Sequence, residues 1–253
     1  MAVPRLPNHW QGHPGPQRRG GRDPNAAGGT GQGNPDLNRL VRLLERKKRA
    51  FDRSTAPKRA GERDAPVPGY FERATYVSFR LDGLQTNEQE VASALARGAA
   101  ARACRSRSSQ RVRNHVAALR QVEAMLTRGH PLQPGHVVRW YASVASGLSY
   151  GHIDRQTAAR IDHVCRTMNS PQLRLGPAVR EIAALHVRLL ADPFVPGFNG
   201  ILARLLLGYH LGRCGLPPVL FDPDADAANL AGEAALLPRL FELLLQSYEA
   251  AET

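Results

Sequence analysis

The chain has 253 residues, 42% hydrophobic and 6% aromatic, with a formal net charge of +12. That length suits one domain with a core built from Leu, Ala and Val plus a tail, and no run of about 18 apolar residues is present to span a membrane. Cys104, Cys165 and Cys214 lie far apart without a CxxC pair, which excludes a disulfide framework and a zinc site.

The charge is unevenly placed. Residues 1–65 hold 14 Lys/Arg against 6 Asp/Glu, whereas residues 66–253 hold 20 against 16. Residues 1–35, rich in Pro, Gly, Arg and Asn, have too little apolar surface to offset the entropy of ordering, and are expected to be a disordered basic tail. Such a tail attracts nucleic acid or acidic surfaces without sequence specificity, or serves as a solubilising segment with no fixed partner. It has no apolar leader stretch, so the expected location is cytoplasmic. Residues 36–69 read as a basic amphipathic helix followed by a linker. In residues 36–51, Leu37, Leu40, Val41 and Leu44 share a face, ahead of Arg46-Lys47-Lys48-Arg49. That apolar stripe is short enough for the helix to form only on contact with the domain or a partner.

The compact domain is placed at 70–253. Residues 85–101 read as a helix capped by Thr86, with Gln89 three positions on. Residues 108–128 carry Val112, Val116, Leu119, Val122 and Met125 at helical period, and Gly129 ends the run. A short helix is expected over 137–144. The spacing over 147–170 is irregular and defines no element. Residues 177–191 are helical, with Val179, Ile182, Ala183, His186 and Leu190 on one face. Residues 201–213 are almost wholly apolar and should form a buried central helix. A last amphipathic helix is expected over 229–250, with Pro238 as a potential break. Long Leu/Ala-rich runs and few β-branched clusters make the fold all-α.

The loop before the central helix carries the chemistry. Asp192-Pro193-Phe194-Val195-Pro196-Gly197-Phe198-Asn199-Gly200 is turn-rich and feeds directly into an apolar helix bearing one cation, Arg204. Backbone N–H groups at such a junction suit an anion such as phosphate. This places the candidate phosphate or nucleotide site at Gly197, Asn199, Gly200 and Arg204.

The wording resembles a damaged form of H-P-F-x-D-G-N-G-R-x-x-R, the signature of the Fic (Fido) family of protein AMP-transferases. Further pieces follow the family's order. Ser78-Phe79-Arg80-Leu81-Asp82-Gly83 resembles its inhibitory motif, [S/T]-x-x-x-[E/D]-[G/N]. A helix containing Asn114-His115-Val116 comes next, then the apolar helix with His186, the loop, and Gly215-Leu216-Pro217-Pro218. The resemblance covers about residues 70–220. It implies a Fic-like helical bundle, a β-hairpin flap within 147–170, and ATP with magnesium as cofactor. In that family the histidine acts as general base for a target hydroxyl that attacks the α-phosphate, and the acid holds magnesium.

Aligning Pro193-Phe194 puts Asp192 at the histidine and Pro196 at the metal-binding acid, with Phe198 as an extra residue. Aligning backward from Asn199-Gly200 without a gap puts Pro193 at the histidine and Gly197 at the acid. Neither frame supplies a histidine or a metal carboxylate, and Ile201 replaces the first arginine in both. Loss of a general base costs roughly 10²–10⁴ in rate. The expected function is therefore a degenerate Fic-like protein acting by binding. One alternative is a divergent nucleotidyl- or phosphoryl-transferase using Asp192 or His186, although an ordinary Asp, with a pKa of about 3.9, is a weak base. The other is a nucleic-acid-binding protein driven by the basic N-terminal segment.

By the same resemblance Asp82 pairs with Arg204, since an arginine within an apolar helix needs a carboxylate to offset its desolvation. That pair is expected to be structural and not a regulatory switch. Isolated His186 reads more simply as a core residue. His152, His163 and His210 form no constellation, and Asp222, Asp224 and Asp226 lack the glycine and glutamate of a calcium loop. No metal site is assigned. The expected partners are a nucleotide and a protein of unstated identity, with nucleic acid reached through the tail and no membrane.

Overall fold

The computed structural model describes residues 35–55, 69–96, 106–148, 152–170, 174–227 and 232–252. The tail expected over 1–35 and the linker lie almost wholly outside them. The described residues are helical throughout, without a strand, in nine helices: α1 (Pro35–Thr55), α2 (Tyr70–Leu81), α3 (Glu88–Ala96), α4 (Arg107–Arg128), α5 (Pro134–Ala145), α6 (Arg155–Asn169), α7 (Leu175–Ala191), α8 (Asn199–Arg213) and α9 (Glu233–Glu252).

Helix boundaries follow local chemistry. Ser106 accepts a hydrogen bond from the Ser109 N–H to open α4, and Gly129, at φ 68°, closes it in a left-handed conformation that costs glycine little. The Asp154 carboxylate accepts from the Thr157 N–H at 2.7 Å and opens α6. At α3 the expected cap is off by one residue. The Asn87 side chain accepts from the Glu90 N–H at 2.8 Å, and the Glu90 carboxylate accepts from the Asn87 N–H at 3.3 Å. This is a reciprocal capping box in which Asn87 replaces Thr86. Helix α9 runs unbroken through Pro238. Most of the unreadable stretch 147–170 is α6, so a helix stands where a β-hairpin flap was expected.

Helix α8 is the centre of the fold. Its exposed surface is nearly nil from Ile201 to Ala203, from Leu205 to Leu207 and from Tyr209 to Gly212, which is why its sequence is apolar on every side. One face, with Leu202, Leu206 and Tyr209, joins a core formed with α3, α4, α5 and α6 around Val112, Trp140 and Ile161. The other face, with Leu207 and Leu211, joins a second core with α1, α7 and α9 around Leu44, Ile182 and Leu240. A Cβ at Gly212 would lie 2.5 Å from a Leu126 methyl, so a side chain there would make Leu126 move where α4 packs on α8.

Helix α1 does not stand apart. Residues 34–253 form one compact unit. Leu44 is fully buried, and Leu37, Leu40, Val41 and Phe51 pack on the second core, Phe51 meeting Tyr248 edge-on at 5.5 Å. The domain, expected to begin at Tyr70, thus includes this earlier helix. Among the described residues no helix is long and apolar enough to cross a membrane.

Candidate functional site

The loop between α7 and α8 is anchored at both ends and in the middle. Phe194, Val195 and Phe198 are each about 4% exposed or less, so its aromatic and aliphatic side chains belong to the core. The Asn199 side chain accepts from the Phe194 N–H at 3.0 Å and donates to the Leu189 carbonyl at 2.6 Å, which stitches the loop across itself. Tyr141 donates its hydroxyl to the Pro196 carbonyl at 3.2 Å. Arg160 donates to the Pro193 carbonyl at 3.0 Å and pairs with Asp192 at 3.1 Å. Gly197 takes φ 78°, a conformation any side chain would strain. The Asn199 side chain therefore holds the loop, a role that the sequence, read for its backbone N–H groups alone, did not assign.

The first turn of α8 is where an anion belongs. The first intrahelical bond runs from the Leu202 N–H to the Phe198 carbonyl, leaving the N–H groups of Asn199, Gly200 and Ile201 without a helical acceptor. A carboxylate of the protein is already there. A Cβ on Gly200 would collide with an Asp82 oxygen, so the missing side chain at Gly200 is what lets Asp82 lie against the start of α8. Asp82 is brought to this place by the end of α2. The Gly83 N–H bonds to the Arg80 carbonyl, the Leu84 N–H bonds to the Phe79 carbonyl, and Gly83 adopts φ 73°. That is the usual glycine-dependent helix stop.

Arg204 closes the arrangement. Its Nε donates to the Ser78 hydroxyl at 2.8 Å, and one terminal nitrogen donates to the Ser78 carbonyl at 2.8 Å and to the Asp82 carboxylate. The two side chains are 10% and 22% exposed, so the pair is largely screened from water. Burial pushes the Arg204 pKa down, and Asp82 pulls it back up. The expected pairing of Asp82 with Arg204 is thus present, and Ser78 joins it.

The other candidates fall elsewhere. Asp192 caps the end of α7, its side chain 71% exposed and turned to Arg160. His186 is 2% exposed and stacks on Phe221 at 6.3 Å. Neither of its nitrogens makes a well-formed hydrogen bond, although the Ala203 backbone lies close enough to favour the charged ring slightly. Burial, with Arg204 adding to it, pushes His186 down to about 3, so the ring is neutral. The acidic trio is structural. The Asp222 carboxylate accepts from the Asp224 and Ala225 N–H groups, and buried Asp226 pairs with Arg239 at 2.6 Å. No group of three metal-ligating side chains occurs among the described residues.

One buried polar group was quoted in the sequence without a role. His115 is 2% exposed and stands beside the Arg204 cavity. Thr75 gives its one hydroxyl proton to the Phe71 carbonyl at 2.7 Å, so the 2.9 Å contact between Thr75 and the His115 Nδ1 requires a protonated Nδ1. Burial and then Arg204 push this imidazole down to about 3. The adjacent cavity, lined by Ser78, His115, Arg204 and Phe221 among others, encloses about 50 Å³, and neither Asp192 nor His186 is on its wall.

No protein-family model and no curated protein matches the sequence. Solved structures do. A Fic-domain-containing signalling protein from Bacteroides thetaiotaomicron superposes with a TM-score of 0.59 at 17% identity, over 84% of this chain and 95% of that one. Fic-1 from C. elegans superposes with a TM-score of 0.63 at 19% identity, over 85% of this chain and 70% of that one. The arrangement of α2, the α7–α8 loop and α8 is thus set within a known architecture: the chain has the helical fold of Fic-domain proteins.

Proposed function

We propose that this is a Fic-fold protein in which AMP transfer has been lost and binding to a partner remains. The observation that carries this reading is the Asp82 carboxylate seated on Gly200 and held by Arg204, in the place where a phosphate would have to lie. Magnesium and ATP do not fit the residues present. The loop offers no histidine, and its one carboxylate faces Arg160. With the stitching of Asn199, the loop reads as a rigid structural joint.

The test is incubation of the full chain with labelled ATP, magnesium and a cell lysate. No label should move to protein with the native sequence or with Asp82→Ala, which removes the resident carboxylate. Transfer that disappears in Asp192→Ala would reverse the reading in favour of a divergent transferase.

A second reading concerns the partner. Arg39, Arg42, Arg46, Arg49 and Arg53 recur at three- and four-residue steps, and all five are exposed on the side of α1 turned away from the core. Arg49 pairs weakly with Glu45 at 3.7 Å. At 1.5 Å per residue the row spans about 21 Å. Such a row, continuing a basic tail, suits the phosphates of a nucleic acid. Binding to duplex DNA or RNA should fall with salt at a slope of about 0.7–0.9 per neutralised phosphate, and should weaken on replacing Arg42 and Arg46 with Gln. Salt-insensitive binding would remove this reading.

A further inference from the structure

A second cavity lies at the opposite end of α8 from the loop. It encloses about 410 Å³ where the ends of α6 and α8 meet the start of α7. Its wall includes Lys48, Arg174 and Arg213, with no carboxylate among the described lining residues, although Glu181 is near enough to act on His210 and Cys214. Lys48 also pairs with Asp52 at 2.8 Å, and Arg213 donates to the Gly129 carbonyl at 3.4 Å.

Two features are not explained by folding alone. Arg213, at the C-terminal end of α8, is favourably placed against the helix dipole. Arg174 is not, because it caps the N-terminus of α7, where a cation is unfavourable unless an anion sits beside it. The second feature is His210. It is 1% exposed and lines this cavity, yet neither ring nitrogen has a hydrogen-bond partner. A buried imidazole without partners costs free energy that a ligand would return.

We propose that this cavity binds a small phosphate-bearing anion. A phosphate group brings the charge that Arg174 and Arg213 call for and enough acceptor oxygens for both arginines, the imidazole and Lys48, which Asp52 shares. With Lys48 already facing Asp52, a single carboxylate would still leave one of the two arginines unmatched. Burial, the largest influence, holds His210 down to about 4, so the ring is neutral and presents one N–H donor to an anion. The Cys214 thiol also lines the cavity and reports on its occupancy. This site is separate from the Asp82–Arg204 pair and does not rest on the reading given above.

The experiment is a titration of the full chain with inorganic pyrophosphate, followed by histidine ring resonances and by the rate of alkylation mapped to Cys214. The expected result is a saturable shift at His210, little change at His115, and slower alkylation of Cys214. Arg174→Gln should weaken binding about tenfold or more, as loss of a charge-assisted contact does. Arg174 is exposed, so that variant should fold, and the native-sequence readouts stand without it. No saturable change at His210 or Cys214, changes centred on His115, or native affinity in Arg174→Gln would each overturn the proposal.

Discussion

Acidification from pH 7 should unfold this protein cooperatively, with a midpoint between about pH 4 and 5.5. The cause is three buried imidazoles kept neutral by the fold. Burial holds His115 and His186 down to about 3 and His210 down to about 4, against an ordinary value of 6.5. In the unfolded chain all three take up protons as the pH falls below 6.5, whereas the folded chain refuses them. The unfolded state then binds more protons, so stability drops as pH drops, and it is independent of these groups above about pH 7.5. Each unit of pH below 6.5 costs about 1.4 kcal/mol per histidine. By pH 5 the three together cost on the order of 6 kcal/mol, comparable with the whole stability of an ordinary domain.

The source of these values is visible in the contacts. His115 meets the Thr75 hydroxyl and the Phe79 ring, His186 stacks on Phe221, and both feel Arg204. None has a carboxylate within reach that would welcome a charge, except that Glu181 offsets part of the burial at His210. Circular dichroism against pH at fixed ionic strength gives the midpoint. His186→Leu should move it to lower pH, because one protonation site is gone. A protein still folded at pH 3.5 with an unchanged melting temperature would show that the imidazoles are hydrated or charged in the folded state.

Much of this was readable from the sequence where one physical signal dominated. Helix α8 was legible because its apolar residues leave no polar side. Helix α4 was legible because a helical repeat ends at Gly129. The Asp82–Arg204 pair was legible through the resemblance of residues 78–83 and 192–204 to two family motifs, which named the partner that a cation in an apolar helix needs. The capping of α3 was missed by one residue because Thr86 and Asn87 are both good caps and only their spacing to Glu90 separates them. Helix α6 was unreadable because it buries Ile161, Val164, Cys165 and Met168 on a narrow face while the rest of it is polar. The stitching role of the Asn199 side chain was missed because loop sequence shows which backbone groups converge, not which side chain turns inward to hold them. His115 was passed over because burial is a property of neighbours distant in sequence, and no local pattern around it signals a cavity.

Replacing Arg204 with Met should destabilise the protein by about 3 kcal/mol, the usual cost of leaving a largely buried carboxylate without its cation. The Asp82 carboxylate would lose its cation beside Gly200, and the Ser78 hydroxyl and carbonyl would lose their donors. Asp82→Asn should cost less, about 1–2 kcal/mol, because Arg204 keeps both bonds to Ser78. If the two side chains act as one unit, the double variant should cost less than the sum of the single ones, with a coupling of about 1–2 kcal/mol. Urea unfolding at pH 7.5, where the imidazoles contribute no slope, measures all four corners of that cycle.

The cycle also separates two roles for the same geometry. In a lock, stability and the pair rise and fall together, and freeing the α8 terminus yields an unfolding-prone chain that gains nothing. In a switch, Asp82 leaves at small cost and an anion takes its place. Strong coupling, with no ATP binding to Asp82→Asn, is the result expected of a lock. Weak coupling, with ATP stabilising Asp82→Asn against urea, would make Asp82 a displaceable stand-in for phosphate, because only a ligand that prefers the folded state can raise the unfolding midpoint.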